Sequence, residues 1–118
     1  MKIPMYFLLI LFFFSCTRES CENLPQSFSS YELAEKSIRK AEFKMEETQS
    51  NFKSSWINRI EFYSCDGEFG FLIIKIKNKS YFFEGVPVNL WEEFKQAESK
   101  GKFYHRHIKG KFTFKLNS

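Results

Sequence analysis

The stretch Tyr81-Phe82-Phe83-Glu84-Gly85-Val86-Pro87 decides the fold of this 118-residue chain. Side chains alternate in direction along a strand, so three consecutive rings place aromatic surface on both faces. Gly-Val-Pro then ends the strand. A proline suits the first turn of a helix, where its missing N–H costs nothing. Leu90, Trp91, Phe94 and Ala97 follow near helical spacing and form one apolar face. Asn89 with Glu92 offers a second start for that helix, as a capping box. Gly101 is placed to end it in left-handed geometry.

Upstream of this junction, Asn78-Lys79 predicts a tight turn, and Phe69 to Lys77 reads as a strand. Phe69, Phe71 and Ile73 point one way, and Leu72, Ile74 and Ile76 the other. A strand apolar on both sides is central and covered twice. Asp66-Gly67 is a strong turn signal. Before it, Trp56 to Ser64 alternates imperfectly. Trp56, Ile60 and Phe62 share one face, interrupted by Asn58, while Ile57 and Tyr63 lie opposite, beside Arg59 and Glu61. Three strands joined by short turns make an antiparallel meander. Downstream, Lys102 to Ile108 fits either a helical turn or extended chain, and Lys111 to Leu116 alternates as a last strand.

An earlier helix is predicted from about Ser30 to Glu42, with a serine cap, early glutamates and late cations, as the helix dipole prefers. Its narrow apolar stripe suits a lid on the second sheet face. Phe43 and Met45 alternate with charged residues as a short strand. The expected fold is α+β, a small antiparallel meander sheet packed by an amphipathic helix after the third strand, with an extra N-terminal helix. The expected division is a leader at 1–15, a tether at 16–29, a helical extension at 30–51 and a main domain at 52–118.

Met5 to Phe14 is an unbroken apolar run after Lys2. It is too short to cross a bilayer, which takes about 20 residues, and it fits the core of an export signal. Ser15 then precedes Cys16, and the chain turns polar at once. Apolar run, small residue and cysteine resemble a bacterial lipoprotein signal. That resemblance implies cleavage before Cys16, acylation of Cys16 and anchoring to a lipid bilayer, with the domain exported to the cell envelope. Phe13 and Phe14 depart from the usual residues of that signal. Cys21 and Cys65 are then left as an even pair. In an oxidising compartment they can form a disulfide. Two free thiols, or pairing between molecules through Cys21, are the alternatives.

Hydrophobic residues make up 43% of the chain and aromatic ones 19%, a composition that excludes disorder. The formal net charge is +4. Residues 16–51 carry 5 basic against 7 acidic side chains, and residues 52–118 carry 12 against 7. A basic domain on an acidic neck suits an anionic envelope component, a partner protein or nucleic acid; a solvated lysine surface is the simpler reading.

Phe52 to about Phe112 resembles the KTSC domain, named for the C-terminus of some lysyl-tRNA synthetases. The residues that carry the resemblance are Ser54-Ser55-Trp56-Ile57, Tyr63 with Asp66, Tyr81-Phe82-Phe83, Gly85-Val86-Pro87, Ala97-Glu98-Ser99-Lys100-Gly101, Phe103-Tyr104 and Ile108-Lys109. Phe83 stands where the family has a second tyrosine, Ser64-Cys65 separates Tyr63 from Asp66, and His105 stands where the family often has asparagine. The resemblance implies a single small domain, and RNA binding by association with the synthetase.

No catalytic constellation and no glycine-rich phosphate loop is recognisable, so no enzyme activity and no cofactor is expected. His105 and His107 would share a face of an extended chain, but no third metal ligand accompanies them. The candidate binding surface is Tyr81 and Phe83 on one strand face, with Arg106, Lys109 and Lys111 later in the chain. Rings on a sheet beside cations are how base-stacking modules are built. Rings buried under a helix are the competing reading.

Overall fold

The computed structural model describes residues 18–117. Helix α1 spans Tyr31–Lys40. Its cap is Ser30, in extended geometry, whose Oγ accepts the Leu33 N–H at 3.1 Å. Four strands follow: β1 Met45–Gln49, β2 Ile57–Ser64, β3 Phe69–Ile76 and β4 Lys79–Pro87. Helix α2 is Val88–Gln96. A short helix α3, Lys100–Phe103, runs into a π-helical turn over Tyr104–Ile108.

The strands form one sheet in the order β1-β2-β3-β4, every neighbouring pair antiparallel. The alternation of β3 buries both its faces. On one side Ile60, Phe62, Leu72, Ile74 and Phe83 pack beneath Trp91 and Phe94 of α2. Trp91 is 1% exposed and stacks on Phe62, with ring centroids 5.2 Å apart. Burying such a ring contributes on the order of 2–3 kcal/mol. On the other side Tyr63, Ile73 and Phe82 pack beneath Ala34 and Ile38 of α1. The N-terminal helix therefore covers the second face.

Two bulges set the faces. Ile57 opposes Ile76 while Arg59 opposes Lys75, so β2 carries an extra residue at Asn58. That residue brings Ile57 to the same core as Ile60 and Phe62, rather than to the opposite side that strict alternation predicts. In β4, Val86 opposes Gly70 and Phe83 opposes Leu72, which leaves an extra residue at Glu84-Gly85. Gly85 has φ 70°, a conformation that glycine adopts without steric cost. Pro87 then stands at the cap of α2, immediately before its first residue.

Three segments differ from expectation. α2 ends at Gln96, where Ala97 turns extended, and not at Gly101. Gly101 lies within α3, where a Cβ would come within 2.7 Å of Trp56 Cζ2. Its missing side chain makes room for the indole. Lys111 to Leu116 forms no strand. Phe112 adopts φ 53°, which breaks the extended path, and the pairing is confined to single bridges from Thr113 to Phe83 and from Leu116 to Phe28. Finally, residues 18–29, read as part of a tether, lie packed on the domain. Arg18 pairs with Glu46 at 3.1 Å and donates to the Ala41 carbonyl. The Cys21 N–H donates to the Glu42 carbonyl at 3.0 Å, and Phe28 is 3% exposed. Burial of Phe28 and these hydrogen bonds outweigh the polar composition that suggested a free linker. β1, in the segment read as an extension, is the outer strand of the same sheet. Cys16 and the leader lie outside the described residues.

Candidate anion-binding site

The sheet has two distinct poles. Ile57 at the start of β2 lies opposite Ile76, next to the β3–β4 turn. Ser64 at its other end lies opposite Gly70 and Met45. Seven steps of about 3.3 Å separate these ends by roughly 23 Å.

At the Ser64 pole, Cys65 is bonded to Cys21, with a Cα–Cα distance of 5.9 Å. The pair that the sequence left open is an intramolecular disulfide. The Asp66-Gly67 turn forms beside it. One Asp66 carboxylate oxygen accepts the N–H groups of Glu68 at 2.8 Å and Phe69 at 3.0 Å. These bonds, that from Phe69 foremost, hold the Asp66 pKa below its ordinary value.

At the Ile57 pole lies a hollow of about 230 Å³, lined by Lys53, Ser54, Ser55, Trp56, Ser99, Lys100, Gly101, Lys102 and His105. Two hydroxyls build it. Ser54 Oγ accepts the N–H groups of Trp56 at 3.3 Å and Ile57 at 3.0 Å, which folds the chain just before β2. Ser99 Oγ accepts the Lys102 N–H at 3.2 Å and opens α3. The Trp56 ring lies against Gly101 and contacts His105 at 5.4 Å and, edge-on, Tyr104 at 5.8 Å. Lys100 is 5% exposed. Its Nζ donates to the carbonyls of Lys95 at 3.0 Å and Ala97 at 2.8 Å, closing the end of α2. It stands 5.2 Å from the centre of the Phe52 ring. Among the described residues it has no carboxylate partner, and burial pushes its pKa down.

The surface expected from the sequence is only partly assembled. Tyr81 and Phe83 do share a sheet face, but the π-helical turn covers one of them. Phe83 is 8% exposed and meets Tyr104 edge-on at 6.0 Å. Tyr81 is 37% exposed, with Lys79 Nζ 5.5 Å from its ring centre. The two rings therefore offer no joint stacking platform. Arg106, Lys109 and Lys111 are exposed on the turn and the loop after it, and Lys111 Nζ donates to the Arg106 carbonyl at 3.2 Å. His105 and His107 do not share a face, because the segment is helical and His107 packs on Phe103 at 4.6 Å. Among the described residues no three potential metal ligands come together. A larger cleft of about 710 Å³ holds Tyr31, Tyr81 and Lys79 but also Glu32 and Glu35, so it has no single charge preference.

Sequence reading missed the hollow. Its two halves, Lys53–Trp56 and Ser99–His105, lie more than 40 residues apart in the chain. Both Ser54-Ser55 and Ser99-Lys100-Gly101 were visible as pieces of a family pattern, but nothing local says that they meet.

The model of the KTSC domain matches residues 53–112, a span that contains the whole hollow and neither α1, β1 nor Cys21. The crystal structure of a KTSC domain protein from Yersinia pestis is similar, with 31% sequence identity and a TM-score of 0.50, over 63% of this chain and 100% of that one. No curated protein matches the chain.

Proposed function

The chain belongs to the KTSC domain family, and from that premise we propose that it is a lipid-anchored envelope protein whose domain binds an anionic ligand. Acylated Cys16 provides the anchor, and the basic half of the chain provides the binding surface. The observation that carries this reading is the Cys21–Cys65 disulfide. Disulfides persist in oxidising compartments and are rare in the cytosol. One half of the bond, Cys65, lies in the span shared with the family; the other, Cys21, lies outside it and five residues from Cys16, where an exported, anchored chain would need its neck secured.

With Arg18 already docked, only Thr17 separates Cys16 from the domain. Two residues reach at most about 7 Å. The Cys65 pole then rests near the bilayer, and the basic hollow points away from it. The burial of Phe83 weighs against RNA binding through the sheet face, since a stacking module needs both rings in reach of bases.

The anchor is tested by labelling cells with a fatty-acid analogue and comparing the native chain with Cys16→Ser. Label is expected on the native chain alone and in the membrane fraction. Equal labelling of both would overturn the reading.

A further inference from the structure

We propose that the hollow between Ser54-Ser55 and Ser99–Lys102 is a binding site for a phosphate group carried by a ligand other than the anchoring bilayer. This names the ligand of the anion-binding reading and rests on it; the choice of a source other than the bilayer rests also on the lipid anchor.

The groups that line the hollow are donors of hydrogen bonds. A serine hydroxyl has one proton to donate and two lone pairs. Ser54 Oγ already accepts two backbone N–H groups, and no acceptor for its proton is found among the described residues. Ser99 Oγ accepts one N–H, and its proton is likewise uncommitted. The Trp56 indole N–H also lacks a protein acceptor among the described residues. Lys53 and Lys102 add exposed ammonium groups, and Lys100, whose Nζ is committed to the Lys95 and Ala97 carbonyls, adds only its positive charge. No carboxylate lines the hollow. A cavity of hydroxyl, indole and ammonium donors calls for a compact oxyanion. Hydrogen bonds from charged donors to such an anion are about twice as strong as neutral ones.

Position decides between sources of the phosphate. The hollow lies at the opposite end of β2 from Cys65, and that strand spans roughly 23 Å. Headgroups beneath a domain tethered at the Cys65 pole are out of reach. The β3–β4 turn, with Lys77 and Lys79, lies at the same far pole and adds to its positive potential.

The test follows backbone amides of the full-length, ¹⁵N-labelled chain in uncharged detergent micelles. Sodium phosphate is titrated at an ionic strength held constant with chloride. Saturable shifts confined to Ser54–Trp56 and Ser99–Lys102 are expected. Shifts that fail to saturate, or that spread over Lys109 and Lys111, would overturn the site. Lys53→Gln with Lys102→Gln replaces two exposed side chains and is expected to weaken binding about tenfold. Lys109→Gln with Lys111→Gln is expected to leave it unchanged, and an equal loss would reduce the effect to general charge. In a second arm, phosphatidylglycerol is added to phosphatidylcholine bicelles without free phosphate. No response of the hollow is expected, and a response would assign the phosphate to the bilayer and overturn the assignment made here. Failure of Cys16 labelling in cells with saturable phosphate binding intact would sink the anchor and the positional exclusion of the bilayer, and leave the phosphate site standing.

Discussion

Asp66 shows how much one side chain settles at the residue scale. Its carboxylate gathers the N–H groups of Phe69 and Glu68, so the tight turn into β3 is held by a charged acceptor. Because its pKa is lowered in the folded chain, its contribution to stability is present above the ordinary carboxylate value and is lost as pH falls through the lowered one. Asp66→Asn is therefore expected to flatten the decline of the urea midpoint below about pH 4. An acid decline as steep as that of the native chain would place the titrating group elsewhere. This turn was legible in the sequence, since Asp-Gly acts within four residues. Gly101 was not. Its glycine answers to Trp56, which comes from the other end of the domain.

At the scale of elements, α1 is fastened to the sheet by a carboxylate in the core. Glu61 of β2 is 1% exposed. It pairs with Arg39 of α1 at 2.5 Å and with Arg59 at 2.9 Å, and accepts the Tyr63 hydroxyl at 2.6 Å. Burial first, and then the bond to Glu61, push the Tyr63 pKa up, so the phenol stays a proton donor at any physiological pH. Each arginine backs up the other. Arg39→Ala or Arg59→Ala alone is expected to cost about 1 kcal/mol or less, as for a partly exposed pair. Together they strand a buried charge, at about 3–5 kcal/mol. Urea unfolding of the four proteins in a double-mutant cycle checks this, and strict additivity would contradict it. On the other face, Glu47 of β1 accepts from Trp91 Nε1 at 2.8 Å and from Lys95 Nζ at 2.6 Å, which fastens α2 in the same way. The capping box expected at Asn89 does not form, because Asn89 lies inside α2, which starts after Pro87 without a side-chain cap. Both helices were readable from their apolar spacing, and α1 from its serine cap. The acids that pin them were not, because Glu47 and Glu61 look like ordinary solvated charges until their partners arrive.

For the whole molecule, the disulfide joins segments separated by 44 residues and draws the neck onto the Asp66 pole. Replacing both cysteines by serine is expected to destabilise the chain by about 2–4 kcal/mol. It should also free the amides of Cys21 and Glu42 to exchange, while β2 and β3 stay protected. Loss of protection throughout the sheet would mean that the bond holds the core itself. The disulfide thus lies at one pole of the sheet, and the hollow with its lysines and hydroxyls at the other.

The sequence by itself determined what depends on neighbours along the chain. That covers the strands and their turns, the two-faced burial of β3, the serine cap of α1 and the helix that follows Pro87. Backbone sterics and side-chain periodicity act over a few residues, so they can be read in order. Tertiary structure alone decided the face of Ile57 after the bulge at Asn58, the pairing of Cys21 with Cys65 and the covering of Phe83 by Tyr104. It alone brought Ser54 to Ser99. Each of these joins residues that only the closed sheet makes neighbours. Tyr81 to Pro87 thus marks the fold, while the hollow proposed to hold phosphate lies between two segments that flank it.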